Sequence, residues 1–400
     1  MANQQNKFLA AQQGLGYIYQ IRFGLLKILE LPEDTKCFIE KDDDLDFDNG
    51  DEGKILASLK HKAPGDTLSD LSIDFWKSVR IWIQHFKGDR SADSPSRYFL
   101  FTTGSVAKGS YLENFLNGAS LDPEIVKLSD EVLSGTESQI ILKIKNEFDD
   151  LDEEDKVLFL ARIAIFDQQV RIVEIPEKVM SRYMRSTRPK FRKAVYQRLE
   201  GWWNDVAISL MDGKRVEPAS GIEVSEMLHR FCDEFRDDNL PIDFRHATPP
   251  EGADPHNDPR LFVEQLRVLG VNQERIKRAI LDYYRAFEQR GSWAREHVTI
   301  TGEVDEYDDR LVDEWDRMKN ILWGKVDDGS QENELQNAGK ELLNWFETND
   351  QEKLRIRPQV TEQYVMMGSY HMLANEEAPR IHWHPQFLSR LSEILTKGSE

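Results

Sequence analysis

Between residues 7 and 31, Phe8, Leu9, Leu15, Tyr17, Ile18, Ile21, Leu25, Leu26 and Leu29 recur about every 3.6 residues, which predicts one long amphipathic helix. Gly14, Gly16 and Gly24 interrupt that pattern, either weakening the helix or letting a neighbour pack closely. Two short runs follow, KCFIEK (36–41) and KILASLKHK (54–62), separated by the acidic, glycine-containing DDDLDFDNGDEG. That arrangement predicts a β-hairpin with a wide turn. A helical pattern covers 70–87 and an apolar run covers 97–103, where Thr102 and Thr103 end it. The order α-β-β-α-β predicts an α/β domain: a mixed sheet with flanking helices.

From about 109 to 187 the pattern is mainly helical, with one apolar run, 162–175, that can include a strand. A boundary is expected near 188. Residues 182–198 hold seven Lys/Arg and no acid, and long helical periodicity follows. Helices are predicted near 190–213, 221–237, 259–268, 272–290, 305–322 and 332–347, with a Pro- and Asp-rich loop at 241–258. The chain therefore reads as an α/β domain over 1–187 and a mainly α-helical domain over 188–400. It has no internal repeat and no low-complexity tract.

The 400 residues carry 72 acids against 52 bases, a net charge of −20. Such a balance argues against a protein held on DNA by bulk charge, since that affinity comes from Lys and Arg displacing counterions, but it leaves room for a local basic patch. Cys37 and Cys232 provide neither a disulfide framework nor a CxxC metal site, as expected for a reducing compartment. The N-terminal segment lacks the pattern of a secretory signal, and no apolar stretch reaches the ~18 residues a membrane span requires, so a cytoplasmic location is expected. There is no P-loop, GxSxG or GxGxxG, and hence no support for ATP hydrolysis by this chain.

The acidic run is the most informative piece. Glu40, Asp42, Asp43, Asp44, Asp46, Asp48, Asp51 and Glu52 place eight acids among thirteen residues, and the next strand carries Lys60, His61 and Lys62. Carboxylates on one strand beside a lysine on the next suit metal-dependent phosphodiester hydrolysis. Hard oxygens hold Mg²⁺ or Mn²⁺, the metal stabilises charge on the phosphate, and the lysine orients or activates the attacking water. Alternation sends Ser58, Lys60 and Lys62 to one face, and Leu59 and His61 to the other. On composition alone such a run reads as a solvated turn. An EF-hand loop is excluded because the glycine is misplaced and no closing Glu follows.

Other clusters read as structural. His371, His382, Trp383 and His384 lack an acid or Cys at ligand spacing and are expected to pack or to meet a partner. Trp202, Trp203, Tyr283, Tyr284, Phe287 and Trp293 fall at helical spacings and suit a core or a helix interface rather than stacking on DNA. Segment 182–198 reads as an amphipathic helix with a solvated basic side, phosphate binding being the alternative. Segment 147–155, seven acids in nine residues, reads as a helix start.

GYIYQ in the first helix, FIEKDDDLDF, ILASLKHK, DLSIDFWKSVRIW and FLFTT together resemble the CD-NTase-associated double-stranded DNA endonucleases. These are a branch of the PD-(D/E)XK restriction-endonuclease-like superfamily. The resemblance implies Asp44 as principal metal ligand with Glu40 and Asp43 supporting, Lys60 as catalytic lysine, Gln20 at the site edge, and Ser58, His61 and Lys62 toward substrate. A one-residue register shift would exchange Asp43 and Asp44. The sequence departs from that family at Ser58, where the family usually has Gln and the wider superfamily an acid.

RPKFRKAVYQRLEGWW (188–203), FRDDNLPIDF (235–244), ILDYYRAFEQRGSWARE (280–296), RLVDEWDRM (310–318) and GSYHMLANEEAPRIHWHP (368–385) resemble the C-terminal domain of effector subunits in ABC-three-component systems. The combination is similar to the nuclease subunit of Lamassu-type anti-phage defence. That resemblance implies an endonuclease held inactive by an SMC-like ABC ATPase and a small middle subunit, and active on double-stranded DNA after release and self-association. A decayed nuclease serving as an adaptor for the ATPase is the alternative that Ser58 raises.

The charge balance sharpens accordingly. Residues 1–187 carry 32 acids and 23 bases, yet outside 40–52 and 147–155 they carry 17 acids and 22 bases. A weakly basic face around an acidic pocket is expected, with assembly rather than one subunit supplying DNA affinity.

Overall fold

The computed structural model describes residues 2–50, 53–91, 96–116, 118, 122–327, 329–348 and 352–390, with side chains from residue 13 onward. They form two compact units, Met1–Cys232 and Asp233–Glu400. The first extends past residue 187, where the composition shift lies, because the helix after the basic segment packs back on the first helix.

In chain order the first unit contains α1 (Ala2–Glu30), β1 (Lys36–Ile39), β2 (Leu45–Asp48), β3 (Lys54–Lys60), β4 (Thr67–Leu68), α2 (Ile73–Gly88), β5 (Arg97–Thr102) and β6 (Ser105–Val106). It continues with α3 (Pro123–Ser134), α4 (Gln139–Asp149), α5 (Glu153–Ala161), β7 (Ile163–Phe166), α6 (Ile175–Tyr183), α7 (Arg192–Met211), β8 (Ala219–Ser220) and α8 (Gly221–Asp233). The main sheet has the order β7-β5-β3-β2-β1-β8, and β4 pairs with β6 separately. β1, β2 and β3 run antiparallel as a meander; β3, β5 and β7 run parallel. This is the expected mixed sheet flanked by helices.

The acidic stretch is not a wide turn. Its LDFD segment is a strand, β2, between β1 and β3, with Leu45 opposite Ala57 and Phe47 opposite Ile55. Leu45 and Phe47 are buried, and Asp46 with them. A tight turn, Glu40 N–H to the Asp44 carbonyl at 3.1 Å, joins β1 to β2. The interleaved acids concealed a strand whose apolar residues are only two.

One face of the sheet is covered by α2, which buries Phe75, Trp76, Val79, Trp82, Ile83 and Phe86. Trp82 stacks on Tyr98 of β5 with ring centroids 5.8 Å apart. Burial of each such side chain is worth roughly 1.5–3 kcal/mol, and truncating Trp82 to Ala would cost about 3–5 kcal/mol. The other face receives α1 through Tyr19, Phe23 and Leu26. Gly24 is where α1 comes closest: a Cβ there would lie 3.2 Å from Leu45 Cδ2, whereas Gly14 and Gly16 face open space. α7 locks onto α1, with the Trp203 indole donating to the Ile21 carbonyl at 2.7 Å and Arg22 paired to Glu200 at 2.5 Å. Phe191, Val195 and Leu199, the apolar positions of the basic segment, are buried. The run 147–155 is a helix start only in its second half: Glu147 and Asp149 end α4, whereas Asp152 caps α5 by accepting the Asp155 N–H at 2.8 Å.

The second unit is helical: α9 (Leu261–Val268), α10 (Gln273–Arg295), α11 (Glu303–Leu322), α12 (Glu332–Thr348) and α13 (Gln363–Leu373). α13 emerges from a segment the sequence marks only as an aromatic and His cluster. Gly368 lets α10 and α13 touch, since a Cβ there would collide with the Asp282 carbonyl and the Ala286 methyl. His371 sits against Phe262 and Phe346, with centroids at 5.0 and 5.6 Å, and His382 against Trp315 at 5.0 Å. These histidines pack in a core. Trp203 and Trp293 are likewise fully buried, while Phe287 stays half exposed. Among the described residues no helix is long and apolar enough to cross a membrane.

Candidate active site

The second half of α1, the β1–β2 turn and the C-terminal end of β3 meet where the central strands of the sheet end. Close approach at Gly24 brings Gln20, one helical turn earlier, to the acids. Its Nε2 donates to Asp44 Oδ1 at 2.7 Å, and Glu40 lies near enough for the Gln20 amide to act on its carboxyl. Asp44 Oδ2 accepts the Leu59 N–H at 2.5 Å and the Ser58 hydroxyl at 3.4 Å, with Lys60 Nζ 3.8 Å away. Lys60 Nζ donates to Ser58 Oγ at 2.9 Å, and Ser58 Oγ lies 2.7 Å from Ser78 Oγ on α2. As the alternation predicts, Ser58 and Lys60 share a face. Gln20, Glu40, Asp44, Ser58 and Lys60 are thus brought together.

Asp43 points elsewhere. Its Oδ2 accepts the Trp82 indole N–H at 2.6 Å and its Oδ1 the Asp44 N–H at 2.9 Å, and it is buried. The register choice left open by the sequence therefore favours Asp44 at the site, with Asp43 bracing the turn from beneath. Asp46 accepts the N–H groups of Asp42 and Asp43, both at 3.2 Å, and lies 3.6 Å from Lys54.

His61 goes to the other face, its ring 4.9 Å from that of Tyr19. Burial and then Arg171 hold its imidazole below the ordinary range. Lys62 pairs with Asp74 of α2, while its carbonyl accepts from Thr103 Oγ1 at 3.0 Å and from Arg171. Both are outside the Asp44 cluster. Ser78 and Trp82, both on α2, support the site through Ser58 and Asp43, and no local pattern reveals them, since α2 is distant in sequence from the acids.

The electrostatics are those of crowded acids. Burial first, then Asp44, raises the Asp43 carboxyl to about 6. Burial and the Asp44 charge also raise Glu40, against the opposing hydrogen bond from Gln20. Glu40 has φ +54°, in the left-handed region that a residue with a Cβ enters at a cost of roughly 1–2 kcal/mol. Strain and like-charge crowding in one place are features functional sites tolerate.

Among the described residues no group of three or more His, Cys, Asp or Glu side chains is arranged to hold a metal. Two carboxylates, Glu40 and Asp44, do converge on Gln20. That donor set fits Mg²⁺, a hard cation commonly held by one or two carboxylates with water completing the shell. It does not fit a caged, all-protein site.

No curated protein matches the chain. A solved structure of the Moraxella osloensis Cap4 SAVED/CARF-domain containing receptor is 11% identical, over 69% of this chain and 68% of that one, at a TM-score of 0.33. Residues 262–391 match the family model of C-terminal domain 7 of the ABC-three component (ABC-3C) systems, so the second unit carries a domain similar to those of that category of multicomponent system.

Proposed function

We propose that this chain is the DNA-cleaving effector of an ABC-three component defence system, with a metal-dependent endonuclease on a restriction-endonuclease-like core in its first unit. The observation that carries this reading is the convergence of Asp44, Glu40, Gln20 and Lys60 at the strand ends of a meander followed by parallel strands. The C-terminal match supplies the defence context.

Asp44 and Glu40 would hold a Mg²⁺ or Mn²⁺ ion, whose charge would offset that building on the scissile phosphate. Gln20 fixes the rotamer of Asp44, and the Leu59 N–H fixes its other oxygen. Lys60, steadied by Ser58, presents an ammonium that can orient the attacking water or hold the phosphate. Water attack on phosphorus with departure of the 3′-oxygen leaves 5′-phosphate ends. Control would follow the Lamassu-type arrangement. An SMC-like ABC ATPase and a small middle subunit hold the chain inactive, and release lets it self-associate on double-stranded DNA, where several modest basic faces add their affinities.

Purified chain should degrade duplex DNA with Mg²⁺ when free of its ATPase, and Lys60→Ala or Asp44→Ala should abolish this while the fold is retained. Cleavage by either variant at the wild-type rate rules out the site.

A second reading, a decayed nuclease acting as an adaptor, draws on Ser58. It is 1% exposed and its one oxygen is taken up by Ser78, Lys60 and Asp44, so it does not extend into the site as an acid or amide would. Absence of Mg²⁺ or Mn²⁺ binding by calorimetry, together with tight ATPase binding, would favour it.

A further inference from the structure

In the second unit α10, α12 and α13 line an open cleft of about 220 Å³, far more than the ~10–15 Å³ that one water requires. Its polar lining is distributed unevenly. Asp282 and His371 are each 2% exposed, and Asp282 Oδ1 and His371 Nδ1 have no hydrogen-bond partner. A buried polar atom left without a partner keeps the cost of its lost hydration, and each such atom asks for a reason. Both side chains line the cleft, as do Phe346 and Met367. Arg278, by contrast, is 62% exposed, and among the described residues its guanidinium uses only Nε, on Asp282 Oδ2 at 3.1 Å. Arg275 lines the same space and is turned to Glu347 Oε2 at 2.8 Å.

We propose that this cleft binds a small molecule with an N–H donor group at its inner end and an anionic group at its outer end. The inner group would supply the partners that Asp282 Oδ1 and His371 Nδ1 lack. The aliphatic or aromatic middle would lie along Phe346 and Met367. The anion would meet Arg278, with Arg275 as a second cation behind it. Burial keeps the imidazole of His371 neutral, so its Nδ1 can serve as an acceptor. A nucleoside monophosphate and a free basic amino acid both have this chemistry. The site is independent of cleavage chemistry in the first unit.

Isothermal titration of the full chain with AMP and with L-lysine distinguishes the two sources. Saturable binding of one probe is expected, weakened at least tenfold by Arg278→Gln, which removes the charge but keeps a donor for Asp282, and blocked by Met367→Trp, which fills the space. Absence of binding by both probes at millimolar concentration overturns the proposal. So does binding that Arg278→Gln leaves unchanged while thermal melts show the variant folded.

Discussion

The two units treat buried charge in opposite ways. In the second unit every principal buried cation is matched. Arg290 grips Asp308 through two hydrogen bonds, at 3.0 and 2.7 Å, and Arg357 grips Glu303 at 2.6 and 2.8 Å while also donating to the Asn239 carbonyl. Burial alone would raise the Glu303 carboxyl, but hydrogen bonds from Arg357 and the Ile300 N–H, with the charges of Arg357 and Arg310, together outweigh it and hold the group below its usual range. In the first unit Glu40, Asp43, Asp44 and Asp46 crowd within one turn and strand, and the cations near them are Lys54 and Lys60. Burial and mutual repulsion raise Glu40 and Asp43; for Asp46, burial and Asp42 outweigh Lys54 and raise it to about 7. A matched pair holds a fold. An unmatched cluster costs stability and is retained where a ligand of opposite charge completes it.

The largest expected effect tests the matched side. Arg290→Ala leaves the buried Asp308 carboxylate only its longer ion pair with Arg380, at 3.7 Å, and should cost about 3 kcal/mol in urea unfolding of the full chain, whereas Arg290→Met with Asp308→Leu should recover most of it. A loss no greater than that of a surface pair would dissolve the distinction between the units.

Next comes the unmatched side. Asp44→Asn should lower duplex cleavage roughly 10²–10³-fold, equivalent to about 2.7–4 kcal/mol of barrier, with little change in melting temperature. A large stability loss with cleavage unchanged would make Asp44 a structural acid like Asp43.

The third test is in pH, where the two units should slope oppositely. Asp43, raised from 3.8 to about 6, keeps its proton when folded at pH values where the unfolded chain has lost it. Stability from that group therefore falls as pH rises from about 4 to 6, by on the order of 1–3 kcal/mol. Asp46 acts in the same direction. His371, lowered by burial from 6.5 to about 3, refuses a proton that the unfolded chain accepts, so its contribution is lost as pH falls below about 6.5. His382, lowered to about 4 by burial and then Lys319, adds to it, and Asp282, raised by burial, opposes it. Calorimetric melts between pH 4.5 and 7.5 should show Asp43→Asn flattening the first slope and His371→Gln the second. Slopes of one sign would remove this part of the contrast.

Smallest is the solvated control. Arg317→Ala breaks a pair whose Arg side chain is 68% exposed and should leave the melting temperature unchanged.

Much of this was legible along the chain, and the misses have physical causes. The long helices announce themselves because each needs an apolar stripe that repeats with the helical turn, and the observed α7, α10, α11 and α12 lie close to their predicted spans. β2 escaped because four residues alternate too briefly to register, and two of them are aspartates, one of which, Asp46, the fold buries. α13 escaped because it is buried on most of its faces, polar Ser369 and His371 included, so no apolar stripe stands out against a polar face. The C-terminal family match begins at 262, so the segments at 188–203 and 235–244 that resemble the same effector domains lie outside it.

By itself the sequence determined the alternation that puts Ser58 and Lys60 on one face, the acidic run beside them, and the helical nature of the second half. These are properties of neighbours in the chain, set by side-chain period and local charge. Only the tertiary structure decided that Asp44 rather than Asp43 meets Gln20. The choice hangs on the Trp82 indole from α2 capturing Asp43 and on Gly24 admitting α1 close enough for Gln20 to reach Asp44. Those contacts join residues far apart in sequence. Their distances follow from how helices pack on the two faces of a sheet, and no local pattern encodes that.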